Sequence, residues 1–151
     1  MLREAFTDRL KQAMKARDAR TVSTVRLILA ALKERDVAAR GEAHAQALAD
    51  PDIARLLQGM IKQRRESIAL YEQGNRPDLA RQESEEIAII EGFLPRQMNE
   101  DEIAAAVRTA MAETGAAGIR DMGKVMAALR ERHAGVIDFS RAGAIVKRLL
   151  G

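Results

Sequence analysis

The hydrophobic residues of this 151-residue chain recur every three or four positions along nearly its whole length. That spacing marks one face of an α-helix, and no stretch alternates polar and apolar residues as a half-buried strand does. In a first predicted helix, which runs to about Arg17, the apolar stripe consists of Leu2, Phe6, Leu10 and Met14. In a second, capped by Asp18, it consists of Val22, Val25, Leu29 and Leu32. The pattern predicts an all-α protein.

The segments DPDIARLLQGM and RPDLARQESEEIAIIEGFLP predict a third and a fourth helix. Asp50 would cap the third helix with Pro51 at its first position, and Pro77 would open the fourth. The fourth helix is expected to end at Leu94-Pro95, because a residue that precedes proline avoids helical geometry. The predicted inward residues are Ile53, Leu57, Met60, Ile61 and Ile68, then Leu79, Glu83, Ile87 and Ile90.

Three further helices are predicted after this break. Asn99 and Glu102 have the spacing of a capping box at the start of the fifth helix, and Gly115 would end it. The expected inward residues are Ile103, Val107, Ala110 and Met111, then Met122, Val125, Met126 and Leu129, and finally Ala142, Ile145, Val146 and Leu149. We therefore predict a four-helix N-terminal domain, residues 1–94, and a three-helix C-terminal domain, residues 95–151.

The amino-acid composition excludes several kinds of site and indicates a cellular compartment. The absence of cysteine excludes disulfides and thiolate metal sites and is typical of a reducing cytoplasm. The N-terminus is charged, and no apolar run is long enough to cross a bilayer, so we expect a cytoplasmic protein without a membrane partner. Aromatic residues make up 3% of the chain, which leaves few platforms on which single-stranded bases could stack.

Charge is distributed unevenly along the chain. Residues 1–40 hold 10 Lys/Arg against 5 Asp/Glu, residues 41–119 hold 8 against 14, and residues 120–151 hold 7 against 3. Both ends are therefore basic and the middle is acidic. The basic ends could attract phosphates if they meet in space, or they could simply solvate outward helix faces.

The segment GIRDMGKV has the G-x-x-x-x-G-K spacing of a nucleotide-binding phosphate loop at Gly118, Gly123 and Lys124. Such a loop follows a buried strand and continues with a Ser or Thr that binds magnesium. Here the preceding residues, AMAETGAA, form no hydrophobic strand, and Val125 stands where the hydroxyl is required. We expect no bound nucleotide and no other cofactor.

The same segment carries a family resemblance. DMGKVMAAL, a short turn and IDFSRAGAIVKRLL resemble the C-terminal end of the YqeY family, and the pattern also resembles the tail domain of the aspartyl/glutamyl-tRNA amidotransferase B subunit. RLILAALKERDVAARG and MIKQRRESIALYEQGNRPDLARQESEEIAIIEGFLPRQMNEDEI resemble the YqeY family in the same order. The resemblance covers essentially the whole chain. It implies an all-helical fold in two parts that meet near the Leu-Pro break.

The resemblance also implies a function. In the amidotransferase the tail domain contacts tRNA, while the chemistry takes place in a larger domain that has no counterpart here. We therefore expect a module that binds tRNA, or a tRNA-containing complex, without catalysis of its own. Two alternatives are an adaptor that docks onto an amidotransferase or an aminoacyl-tRNA synthetase, and an accessory role in glutamine-dependent carbon–nitrogen ligation.

The candidate RNA-binding residues are the C-terminal cations Arg120, Lys124, Arg130, Arg132, Arg141, Lys147 and Arg148. Arg120 and Lys124 lie near a predicted helix N-terminus, which favours phosphate, and Arg141 and Arg148 share a helix face. The alternative is that all are solvated surface charges. The turn HAGVID has Ala134 and Val136 where YqeY relatives tend to carry basic residues, which weakens the case for phosphate contacts from this turn.

The remaining polar clusters favour structural roles. Lys62, Arg64 and Arg65 could pair with Glu66 and Glu72 of the same helix. An acidic group is expected to be solvated or to pair with the N-terminal helices; its members are Glu83, Glu85, Glu86 and Glu91. Neither histidine, His44 or His133, has a ligand or nucleophile partner in view. We therefore predict no catalytic residue and no metal site.

Overall fold

A computed structural model of the chain describes residues 1–41 and 47–151, and within these ranges all regular structure is helical. The α-helices are α1 (Leu2–Ala16), α2 (Ala19–Arg40), α3 (Asp50–Gln73), α4 (Pro77–Glu91), α5 (Glu100–Thr114), α6 (Met122–His133) and α7 (Phe139–Leu150). The all-α prediction is confirmed. The chain divides into two compact units, Met1–Leu94 and Pro95–Gly151. None of the described helices combines the length and the apolar composition that a membrane crossing requires.

The first unit is built on the closely packed pair α3 and α4, with α1 packed on α2 and α2 in contact with α4. Phe6 of α1 is fully buried and meets Phe93 edge to face, with the ring centroids 4.8 Å apart. Such aromatic pairs add a specific geometry to the area that they bury. The other buried core residues of this unit are Val25, Ile28, Leu32, Ile53, Ala54, Leu57, Met60, Ile61, Ile90 and Leu94.

Two predicted inward stripes of this unit are confirmed in part: Met14 of α1 is wrong, and in α2 Val25 and Leu32 are buried as predicted, with further residues buried beside them. Met14 is 53% exposed and Ala13 is buried in its place. Residues four apart differ by about 40° around a helix, so a stripe extended by repeated steps of four rotates away from the core. In α2, Ile28 is fully buried, as are the hydroxyl residues Thr21 and Thr24. Thr24 donates to the carbonyl of Arg20, so this buried hydroxyl is satisfied within its own helix.

The predicted start of α3 is wrong by one residue. The N-cap is Ala49, whose carbonyl accepts from the N–H of Ile53 at 3.1 Å, so Asp50 is the first helical residue and Pro51 the second. The carboxylate of Asp50 accepts instead from the backbone N–H of Leu2, at 3.4 Å. This side chain therefore ties the start of α1 to the start of α3.

Arg3 joins α1 to α2 and to the segment before α3. Its guanidinium donates two hydrogen bonds of 2.8 Å to the carboxylate of Asp36 and one of 3.0 Å to the carbonyl of Leu48. The backbone N–H of Leu48 also donates to Asp36. The hydrogen bonds from Arg3 lower the pKa of Asp36 to about 2, against the opposing effect of its burial.

This lowered pKa leads to a prediction about acid stability. Because the carboxylate of Asp36 is favoured in the folded chain, its stabilisation is present above pH ~4 and is lost as the pH falls towards ~2. Asp36→Asn is expected to lower the free energy of unfolding near neutral pH by about 1–2 kcal/mol. The free energy of unfolding of this variant should also fall less steeply as the pH is lowered from ~4 to ~2. Urea melts across this pH range measure both effects. Asp8→Asn, at an exposed position of α1, is the control. An equal loss of unfolding free energy in this variant would contradict the stabilising role of the Asp36 carboxylate.

The second unit packs α5, α6 and α7 around a core of its own. Asn99 and Glu102 form the predicted capping box at the start of α5, and Asp138 caps α7 by accepting from two backbone N–H groups. The N–H of Met98 donates to the carbonyl of Val136 at 2.9 Å, so α5 and α7 begin at the same end of the unit. The buried residues are Ile103, Ala104, Val107, Ala110, Val125, Leu129, Ile137, Ala142, Ile145 and Val146.

Candidate nucleic-acid interface

The GIRDMGKV segment forms a short 3-10 turn, Ile119–Asp121, that leads directly into α6. The carboxylate of Asp121 accepts from the backbone N–H groups of Ala117 at 3.0 Å and Gly118 at 3.3 Å. The hydrogen bond from Ala117 is the largest cause of the lowered pKa of Asp121. A phosphate loop would offer these N–H groups to a ligand, whereas here an internal carboxylate uses them. The turn therefore satisfies its own N–H groups with the Asp121 side chain as it leads into α6.

Arg120 and Lys124 flank this carboxylate on the surface. Both side chains are exposed, and neither makes an ion pair with any residue that the structure describes. The positive charge of Lys124 nevertheless contributes to the lowered pKa of Asp121. A phosphate at the start of α6 would meet the negative charge of Asp121 as well as the two cations, which weakens this end of α6 as an anion site.

Arg130 and Arg132, at the end of α6, are already engaged within the unit. The guanidinium of Arg130 lies 5.6 Å from the ring centroid of Phe139, and Arg132 pairs with Glu113. The turn that follows α6 is also held within the unit, because the carbonyl of Gly135 accepts a hydrogen bond of 2.8 Å from the side chain of Gln97. These cations and this turn hold α6 against its neighbours.

Arg141 and Arg148 line one open groove between α5 and α7, where they are joined by Arg108 of α5. The groove has a volume of about 390 Å³, within the range of ligand sites. The Nε atom of Arg141 lies 4.0 Å from a carboxylate oxygen of Asp138. Arg108 and Arg148 make no ion pair within the described part of the chain. Lys147, next to Arg148 in the sequence, is exposed and does not line the groove.

Small residues on both helices create this groove. Its floor includes Ala104 of α5 and Ile145 of α7, both nearly buried, and Ala144 lies beside them. Alanine leaves space between two packed helices that a longer side chain would fill. Glu100 and Asp101, in the first turn of α5, add two carboxylates to the end of the groove where Arg141 also lies. The groove is thus an open channel with an apolar floor and charges of both signs on its walls.

Sequence reasoning missed Arg108, Glu100 and Asp101 as members of this site. The positions of Asp101, Ala104 and Arg108 are spaced by three and four residues, as are those of Arg141, Ala144 and Arg148. Each set therefore lies on one face of its helix. The matching spacing was available in the sequence, but only the packing of α5 on α7 shows that the two faces meet.

The polar clusters of the first unit form ion pairs between helices. Arg64 donates to the buried carboxylate of Glu86 at 3.0 Å and lies 4.0 Å from Glu83, while Arg65 pairs with Glu91 at 3.5 Å. The partners are thus residues of α4, and the expected pairs with Glu66 and Glu72 are corrected. Arg20 of α2 pairs with Glu85 at 3.2 Å, as expected for a link to an N-terminal helix.

The desolvated position of Glu83 changes its acidity, because burial raises its pKa and the neighbouring charge of Glu86 adds to the rise. His133 lies at the end of α6, and His44 lies outside the described residues. Within residues 1–41 and 47–151, no group of three or more His, Cys, Asp or Glu side chains could hold a metal ion.

A comparison with known protein families adds one finding to this geometry. The family model described as Yqey-like protein matches residues 3–150, which is nearly the whole chain. No curated protein matches the sequence.

Proposed function

Because the chain belongs to the YqeY-like family, we propose that it is a helical module that binds tRNA, or a tRNA-containing complex, through residues 95–151. The proposal draws on the resemblance of this part to the tail domain of the amidotransferase B subunit. The binding would need no chemistry from the chain itself. A tRNA offers a dense array of phosphates, and exposed guanidinium and ammonium groups bind them by charge and shape.

The observation that carries the proposal is the groove between α5 and α7. Arg141 and Arg148, selected from the sequence as RNA-binding residues, line it together with Arg108. Unpaired guanidinium groups on one surface attract phosphate more strongly than cations that are already neutralised by carboxylates. Among the seven cations selected, Arg130 and Arg132 have partners inside the unit, and the carboxylate of Asp121 offsets the charge of Lys124. Arg141 lies 4.0 Å from Asp138, whereas Arg148 makes no ion pair with a described residue. The groove, with Arg108 and Arg148, and the exposed Lys147 therefore form the most available part of the basic surface.

A filter-binding titration with total tRNA across a salt series tests the proposal. A protein that contacts a few phosphates is expected to lose about 10-fold or more in affinity between low and physiological salt, because binding releases counterions. Affinity that does not change with salt would contradict an electrostatic interface. No measurable binding of tRNA at low salt would contradict the proposed function.

An adaptor function remains the alternative, in which the same surface binds an amidotransferase or an aminoacyl-tRNA synthetase. A pull-down from extract with and without ribonuclease separates the two. Partners that persist after ribonuclease treatment favour the adaptor, and partners that disappear favour RNA. An amidation assay on misacylated tRNA, with and without the amidotransferase subunits, tests a role in carbon–nitrogen ligation.

We further propose that residues 1–94 act as a four-helix domain and residues 95–151 as a three-helix domain. The support is that each range has a hydrophobic cluster of its own, one around Phe6 and Ile28 and the other around Leu129. Leu129→Ala is expected to cost about 2–5 kcal/mol by leaving a cavity. Hydrogen exchange should then accelerate in residues 95–151 and stay unchanged in residues 1–94. Equal acceleration in both ranges would contradict separate domains.

A further inference from the structure

Two guanidinium groups lie at nearly the same height in the α5–α7 groove, at the end away from the starts of the two helices. Arg108 is the ninth residue of α5 and Arg148 is the tenth residue of α7. Because α5 and α7 begin at the same end of the unit and pack against each other, these two positions are about level. Both side chains line the groove, one from each helix. An anion at this end therefore has a guanidinium group on either side.

Nothing within the described ranges neutralises these two guanidinium groups. Neither Arg108 nor Arg148 has an ion-pair partner there, and like charges on neighbouring helices repel each other. Ala104 and Ile145, each one turn before one of the arginines, form a nearly buried floor next to them. A phosphate between the two would remove the repulsion and accept hydrogen bonds from both planar groups, whose geometry matches its oxygens.

The other end of the groove carries charges of both signs. Glu100 and Asp101, in the first turn of α5, lie at the same end as Arg141, in the first turn of α7. Seven positions separate Asp101 from Arg108 and Arg141 from Arg148, so the two ends are about 10 Å apart. A strand of phosphates along the groove would bring some of its charges close to the two carboxylates, which repel them. A single phosphate at the arginine end avoids this repulsion.

We propose that Arg108 and Arg148 bind one isolated phosphate monoester, the group that forms the 5′ end of a tRNA. A monoester carries a charge of about −1.5 to −2 at neutral pH, whereas each phosphodiester of a nucleic-acid backbone carries a single negative charge. Two unpaired guanidinium groups match the larger charge. This inference rests on the proposed function and deepens it, because it names the phosphate that the groove recognises.

Two forms of one tRNA that differ only at the 5′ end test the inference. The transcript is prepared with a 5′-phosphate and with a 5′-hydroxyl, and each form is titrated with the full chain by filter binding at one low salt concentration. The 5′-phosphate is expected to tighten binding about 10-fold, the effect of one charge-assisted contact. The variant with Arg108→Ala and Arg148→Ala should bind both forms equally. The ratio is the informative readout, because a change in folding alters both titrations together.

The matched control is Lys11→Ala with Lys15→Ala, which removes two exposed cations of α1. It lowers the net charge by the same amount as the Arg108/Arg148 variant, so overall attraction to RNA falls equally in the two. The control should keep the ratio at about 10-fold, as expected for one retained contact. A ratio near unity in the parent chain, or an equal fall of the ratio in the control, would overturn recognition of the 5′ end by the two arginines.

Inorganic phosphate separates the 5′ end of an RNA from a small phosphorylated compound as the source of the group. Thermal unfolding is followed in phosphate and in chloride at equal ionic strength. Phosphate stabilises folded proteins in general, so the informative quantity is the extra rise in the transition temperature of the parent chain over the Arg108/Arg148 variant. An extra rise together with an RNA ratio near unity would support the phosphate site and assign it to a small molecule.

These measurements also separate the inference from the function on which it rests. If both forms of the tRNA bind equally and phosphate gives no extra rise, the inference is wrong and the proposed function stands. If neither form binds, the proposed function is wrong, and the extra rise in phosphate alone decides whether the groove is a phosphate site.

Discussion

Arg64→Ala is expected to lower the free energy of unfolding of the first unit by about 3–5 kcal/mol, because it leaves a buried carboxylate without its partner. The side chains of Arg64 and Glu86 are 12% and 9% exposed, and their atoms approach to 3.0 Å. Arg64 also donates to the carbonyl of Met60 in its own helix and approaches Glu83 of α4. Chemical denaturation at neutral pH measures the loss.

The neighbouring residue provides the control for this prediction. Arg65→Ala is the same substitution one position along α3, and it removes a pair with Glu91 whose side chains are 33% and 39% exposed. Such half-exposed pairs contribute roughly 0–1 kcal/mol, so this variant should be nearly as stable as the parent chain. Equal losses in the two variants would show that burial of the Arg64 pair is unimportant.

A double substitution identifies the mechanism of the loss. Replacing both partners, as in Arg64→Met with Glu86→Leu, should restore most of the stability, because apolar residues of similar volume need no counter-charge. A double variant as unstable as Arg64→Ala alone would attribute the loss to lost packing of the long side chain instead.

The helical character and the helix ends of this chain could largely be predicted from its sequence. The capping box of Asn99 and the cap at Asp138 are local features, in which a side chain satisfies N–H groups two or three residues away. Interactions of that kind depend on little outside the segment. One exception is the end of α4, which lies at Glu91 and not at the predicted Leu94, and another is Asp50, whose carboxylate contacts the N–H of Leu2 instead of capping its own helix. The competing donor lies 48 positions away, so local pattern could not anticipate it.

Partners between helices were harder to anticipate. Carboxylates of its own helix were available to Arg64, yet its ion-pair partner is Glu86 of α4. The close packing of α3 on α4 brings these two side chains together and buries them. The same limit applies to the candidate site. The face shared by Arg141 and Arg148 follows from helical geometry, whereas the contribution of Arg108 depends on which helix packs against α7. Tertiary packing thus decides both the ion pairs and the composition of the groove.

Changing Lys124, Arg141 and Arg148 together to Ala is expected to weaken tRNA binding about 100-fold at low salt, because up to three charge-assisted phosphate contacts are lost. The slope of log affinity against log salt should also become shallower, by about one for each contact removed. The three side chains lie outside the core clusters, so the variant should keep its helical content and thermal transition. The measurement is a filter-binding titration at several salt concentrations.

The matched control is Lys11→Ala, Lys15→Ala and Arg26→Ala, which removes three exposed cations from α1 and α2. Because net charge falls by the same amount in both triple variants, only a local interface predicts a large loss in one of them. Equal losses would indicate attraction to the overall positive charge of the chain. Unchanged binding in the Lys124/Arg141/Arg148 variant would place the tRNA contact elsewhere. If the interface is correct, Arg148→Ala alone should weaken tRNA binding more than Lys124→Ala alone. The carboxylate of Asp121 already offsets the charge of Lys124.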